Sequence, residues 1–302
     1  MSRTRDLVSE LRRRLGAADP LPPVVALPPV PPPPARVFPV EAKRGRFAQA
    51  ASQHTTALVG IGHVGTRYAT DVVLQFQAEL AVAHEAVATE LPDGWAETEG
   101  LMPLQSRVTN HREFLLRPDL GRRLSEDSLR RLRRDATRDV DVQLILADGL
   151  SAVACLGSGV EMITLLAEEC QRKGWRVGTL VCAKFARVWL EDEIGQETGA
   201  KVAVIILGER PGLGTGDGLS AYLVHEPRIG KTDGDRNMMS NIHQRGTPPA
   251  QAAARLALLI GAMLQQGTSG VDLDLSDLGE AGAATTGYRA PQKRQPLVER
   301  GS

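Results

Sequence analysis

The chain has 302 residues, enough to bury a sizeable core in one large domain or two modest ones. Its 36 lysines and arginines balance 36 aspartates and glutamates, which excludes a long-range field that would draw in nucleic acid or an anionic membrane surface. Cys155, Cys170 and Cys182 lack metal-type spacing and read as reduced thiols, and no apolar run approaches the roughly 20 residues that span a bilayer, so a cytoplasmic protein is expected.

In chain order, Leu7, Val8, Leu11 and Leu15 line one face of a short helix within residues 1–16. Such a helix is too short to stand alone and has the form of a docking or addressing peptide. Residues 17–45, with Pro20-Leu21-Pro22-Pro23 and the run Pro31 to Pro34, read as an extended linker. Residues 46–138 read as a smaller helical domain. Val72, Val73, Phe76, Leu80, Ala83 and Val87 recur at helical spacing between Arg67 and Leu91, and Ser125 before Glu126 and Asp127 opens another helix. The basic run Arg130 to Arg134 has acidic residues on both sides and reads as a solvated face.

From residue 139 the pattern changes to short, nearly all-apolar runs, Val140 to Ala147, Arg176 to Cys182 and Lys201 to Leu207. They alternate with helical segments, Glu161 to Lys173 and Leu190 to Thr198. Strands apolar on both faces and separated by helices predict an open, mostly parallel sheet covered on both sides, a Rossmann-like α/β domain over residues 139–270. A helix from Pro249 to Gln265 closes it, and residues 271–302 read as a flexible tail.

Several motifs point elsewhere. Gly60-Ile61-Gly62-His63-Val64-Gly65 satisfies the dinucleotide fingerprint, but only Ala57-Leu58-Val59 precedes it as a strand. Ser151 and Ser220 approach a nucleophile elbow without its closing glycine, and read as cap or turn hydroxyls. No two of the six histidines fall at i, i+4, so no metal site is expected.

Ligands of open α/β sheets bind where loops leave the strand carboxyl ends. Two loops qualify, Ala147-Asp148-Gly149-Leu150-Ser151 and Gly208-Glu209-Arg210-Pro211-Gly212-Leu213. Glu209 is placed to accept protons from a ligand, or to pair with Arg210 or Arg187. The residues alone go no further than a ligand at the strand ends.

Over roughly residues 60 to 273 the chain resembles the small (light) subunit of ethanolamine ammonia-lyase. The resemblance rests on Gly62 to Arg67, Arg117-Pro118-Asp119-Leu120-Gly121-Arg122-Arg123-Leu124, Asp148 to Ser151, Glu191-Asp192-Glu193-Ile194-Gly195, Gly208 to Leu213 and Ser240-Asn241-Ile242-His243. It implies a complex with a large subunit that binds ethanolamine and carries most catalytic residues, with none in this chain. It also implies radical conversion of ethanolamine to acetaldehyde and ammonia with adenosylcobalamin. By position, the resemblance puts corrin contacts on Val188, Glu209 and Met238, where many relatives have cysteine at the last. No histidine has Asp two before and Gly three after, so the cofactor is expected base-on, keeping its own dimethylbenzimidazole on cobalt. The resemblance further implies that residues 1–16 address the enzyme to a bacterial microcompartment. The competing readings are a nicotinamide-dependent oxidoreductase and a non-enzymatic scaffold protein.

Overall fold

The structure, a computed structural model, describes residues 46–51, 59–60, 63–213 and 216–276, apart from the side chain of residue 48. The expected helix at 1–16, the linker at 17–45 and the tail beyond 276 lie outside the described residues.

Eight strands are described. β1 (His63–Val64) and β2 (Arg67–Tyr68) pair only with each other, in an antiparallel hairpin. The others form one sheet: β3 (Met102–Gln105), β4 (Val142–Ala147), β5 (Val181–Lys184), β6 (Val202–Gly208), β7 (Leu219–His225) and β8 (Arg236–Ile242), in the order β3-β5-β4-β6-β7-β8. The helices are α1 (Arg46–Ala51), α2 (Thr70–Ala88), α3 (Trp95–Thr98), α4 (His111–Leu116), α5 (Glu126–Asp135), α6 (Ala152–Ala154), α7 (Val160–Arg172), α8 (Leu190–Thr198) and α9 (Pro249–Gln266). A π-helical turn, Cys155–Gly159, joins α6 to α7.

β4 and β6 are buried at every residue, as expected of strands with an apolar layer on each face. They pair in parallel, Val142 opposite Val202 through Ala147 opposite Leu207. Alternate side chains feed opposite layers. Leu144, Leu146, Val204 and Ile206 pack with Met162 and Leu166 of α7 and Leu256 and Ile260 of α9. Ile145, Ala147, Ile205 and Leu207 pack with Leu132 of α5 and with Leu190 and Ile194 of α8. The sheet therefore has helices on both faces.

The sheet departs from the expected pattern in three places. It is mixed: β3, β5, β4 and β6 are mutually parallel, whereas β7 runs antiparallel to β6 and β8 antiparallel to β7. β3 lies inside residues 46–138, read as helical, and forms the outer parallel strand. The strand expected at Arg176 to Cys182 is displaced. Gly178 lies against the Gln143 side chain, only Val177 bridges to Val142, and regular pairing begins at Val181.

Ser125 accepts from the Ser128 backbone N–H and caps α5 as the sequence suggests, and a proline occupies the first turn of α9. After α9, residues 271–276 pack down. Leu273 is buried, and the Gln266 side chain bonds both backbone groups of Asp274.

From β4 the chain crosses by α7 to β5 on one side, then by α8 to β6 on the other, so the strand order reverses between β4 and β6. Their carboxyl ends are the switch point where a ligand crevice opens. At that point two glycines touch. Gly149, at φ +54°, has the backbone of Gly208 where a Cβ would sit, and a Cβ on Gly208 would strike the carbonyls of Ser151 and Asp148. The Leu150 N–H donates to the Gly208 carbonyl at 2.9 Å. Gly208→Ala is expected to cost about 3 kcal/mol in urea unfolding, at the upper end of overpacking penalties. Gly157→Ala, where a Cβ meets nothing, should be near neutral. Equal effects would contradict the glycine contact.

Candidate functional site

A cavity of about 300 Å³ opens at this switch point, lined by the ends of β4, β5 and β6 and by β7 and β8. Leu150, Val188, Leu207, Tyr222 and Met238 make its apolar wall, and Arg187, Glu209 and Arg210 supply its charges. All three residues marked by position, Val188, Glu209 and Met238, meet here. Met238 is 37% exposed and faces the cavity rather than the core.

Glu209 is held from both ends. Its backbone N–H donates to the Gly218 carbonyl at 2.9 Å. Its Oε1 accepts from the Ser220 hydroxyl and, at 3.4 Å, from the Asn241 backbone N–H. No ion pair joins it to Arg210 or Arg187, the alternative that chemistry alone offered, and Oε2 has no partner among the described residues. One carboxylate oxygen is thus fixed, and the other is without a partner among the described residues.

The two serines separate in role. Ser151 caps α6, accepting from the Ala154 N–H, and donates to the Gly216 carbonyl. Ser220, on β7, orients Glu209. Asn241, at φ +60°, turns the chain at the end of β8. Its side chain contacts His243 Nε2 at 2.6 Å, and His243 Nδ1 accepts from the Arg245 N–H. The Ser240 to His243 motif therefore presents a backbone N–H to Glu209.

The loop carrying Val188 is held from below by Asp148, whose two oxygens accept from the Phe185 and Ala186 N–H groups at 2.7 and 3.1 Å. Phe185 sits at φ +55°, so these donors turn the backbone sharply at the end of β5. Burial outweighs both donors and pushes the Asp148 carboxyl up to about 7.

A buried ion cluster ties the outer wall to the same loop. Arg236 at the start of β8 donates to Glu191 at 2.7 Å and to both oxygens of Asp192 at 2.9 and 2.7 Å, with all three side chains at most 3% exposed. One guanidinium is shared by two carboxylates, and burial raises the Glu191 pKa against that attraction. The cluster fixes Met238, two residues beyond Arg236, relative to Val188, two residues before α8. Sequence reading missed it. Three consecutive acids opening an otherwise apolar-faced helix were the available signal, because buried carboxylates need a cation.

Glu193 completes the Glu191 to Gly195 motif by accepting from the Leu124 N–H, and Gly195 leaves room for Pro227. The early glycine motif does not join the sheet. His63, Val64 and Gly65 of the motif lie in the β1–β2 hairpin, and residues 61–62 are outside the described set. Among the described residues no group of side chains could hold a metal ion, and all three cysteines are free and buried. No described helix is long and apolar enough to cross a membrane.

A mixed α/β sheet with an open crevice of apolar and charged residues at its switch point defines the class, an α/β protein with a candidate ligand site at its strand ends. A family model for the ethanolamine ammonia-lyase light chain (EutC) matches residues 46–274, and the chain belongs to that family. It is thus a subunit of a carbon–nitrogen lyase that degrades ethanolamine with adenosylcobalamin, and its family implies a EutB large subunit as partner. This replaces the oxidoreductase and scaffold readings.

The folded pKa of Asp148 lies above the roughly 3.9 of an unfolded aspartate. Its contribution to stability is therefore complete below about pH 4 and is lost as pH rises through about 7. Urea titrations of Asp148→Asn should show a shallower fall in stability between these limits than the wild-type chain. An unchanged slope would contradict a protonated Asp148.

Proposed function

We propose that this subunit encloses one side of the corrin of adenosylcobalamin, with Val188, Glu209 and Met238 as contacts, while the large subunit binds ethanolamine and carries most catalytic residues. When bound, the cofactor supplies the radical that starts the loss of ammonia. The observation that carries the reading is the free Oε2 of Glu209 beside an apolar wall. A corrin has apolar faces and an amide-bearing rim, and a carboxylate with one oxygen fixed and one free suits an amide N–H on that rim.

Val188 and Met238 supply packing surface, and the flexible thioether adapts to an irregular macrocycle. A cavity of about 300 Å³ is at the small end for any ligand and holds only part of a corrinoid. The rest of the enclosure belongs to the partner, which is why the isolated chain is expected to be inactive.

The base-on state is supported by His243, which Asn241 links to Glu209. His243 is 2% exposed and both ring nitrogens are engaged, by Asn241 and by the Arg245 N–H, so it offers no lone pair as a lower cobalt ligand.

The test is the complex co-expressed with its large subunit, assayed for acetaldehyde from ethanolamine as adenosylcobalamin is varied. Glu209→Ala should raise the cofactor concentration for half-maximal rate by about 10-fold, the worth of one charge-assisted hydrogen bond. Ser220→Ala should give a smaller shift in the same direction. No shift in either variant would remove Glu209 from the cofactor site.

A further inference from the structure

Arg187 is built into the cavity wall with more support than a surface arginine receives. Its backbone N–H donates to the Gly121 carbonyl at 2.8 Å, and Gly121 has no Cβ where the Arg187 Cγ passes. Its guanidinium lies 4.1 Å over the Phe114 ring, and Nη2 donates to the Phe114 carbonyl at 2.8 Å. The loop Arg117 to Leu124, whose role the cofactor contacts leave unexplained, thus serves to hold this side chain.

No carboxylate among the described residues pairs with it. Among the described residues neither Arg187 nor Arg210, the other arginine of the cavity, forms an ion pair, and Nη1 of Arg187 has no acceptor. Nearby Asp148 spends both oxygens on backbone N–H groups. Burial, then the charge of Arg122, holds the Arg187 pKa below the usual guanidinium range; Asp148 opposes this, and Arg210 adds to it. Two guanidinium groups at one cavity, neither ion-paired to the Glu209 carboxylate that shares it, form a receptor for an anion, and the planar fork of arginine matches phosphate oxygens.

The substrate is an amino alcohol and brings no negative charge. Adenosylcobalamin brings one on its periphery, the phosphodiester in the loop that links the corrin to its dimethylbenzimidazole. Resting on the corrin-enclosing reading above, we infer that Arg187, assisted by Arg210, binds this phosphodiester and so fixes the nucleotide loop against the light subunit. The cavity is then divided by chemistry. Glu209 takes an amide of the ring, and the arginines take the one anionic group outside it.

A pair of corrinoids separates ring binding from loop binding, because dicyanocobinamide lacks the nucleotide loop and its phosphodiester whereas cyanocobalamin has both. Binding of each to the co-purified complex is followed by equilibrium dialysis and visible absorbance. Arg187→Met should weaken cyanocobalamin by about 10- to 100-fold, the range for hydrogen bonds to a charged group, and leave dicyanocobinamide within about twofold of wild type. Arg187→Lys should recover part of the loss. Arg210→Met, at an exposed position, should give a smaller selective loss without threatening the fold. Equal weakening of both corrinoids, or of neither, by Arg187→Met overturns the phosphodiester assignment. Glu209→Ala, expected to weaken both, reports on the ring site: if it weakens neither while Arg187→Met remains selective, the ring contact alone has failed. A wild-type complex that binds neither corrinoid overturns both.

Discussion

The close approach of two backbones at Gly149 and Gly208 fixes where everything else in the cavity can be. β4 and β6 are adjacent parallel strands, and the loops leaving them would ordinarily be kept apart by side chains. With none at either glycine, the Leu150 N–H reaches the Gly208 carbonyl, and Glu209 begins directly at the rim. Both glycines line the cavity, yet the room they leave is taken by facing backbone, that of Gly208 at Gly149 and the Asp148 and Ser151 carbonyls at Gly208. Their conformational freedom sets the depth of the crevice.

Around that contact the remaining walls are placed by polar groups buried at some cost. Asp148 turns the loop toward Val188, Arg236 clamps β8 to α8, and Ser220 with Asn241 fixes one oxygen of Glu209. Removing one partner from a buried cluster such as Arg236 with Glu191 and Asp192 typically costs about 3–5 kcal/mol. Such a wall is rigid before a ligand arrives, which lowers the ordering cost of binding.

The central strands and the flanking helices were legible because burial on both faces writes itself as nearly all-apolar runs, as in Val142–Ala147, interrupted only by Gln143, and Val202–Gly208. The strands that complete the cavity were not. Arg236–Ile242 carries Arg, two Asn and Ser, and its first residue is buried only because α8 supplies two carboxylates from 45 and 44 positions earlier. No local pattern encodes that pairing. The position of Glu209 at a strand end could be read, but its hydroxyl partner could not, since Ser220 becomes its neighbour only through the antiparallel pairing of β6 with β7. Val188 and Met238 were marked by family resemblance alone, and their shared cavity emerged from the fold.

The central claim is that this chain supplies one wall of a cofactor enclosure and its partner supplies the other. A structure of the two-subunit complex with adenosylcobalamin bound tests it directly. The account predicts the corrin edge in van der Waals contact with Val188 and Met238 and an amide nitrogen within hydrogen-bond distance of Glu209 Oε2. A corrin enclosed by the large subunit alone, with the crevice between β4 and β6 facing away from it, would contradict the account.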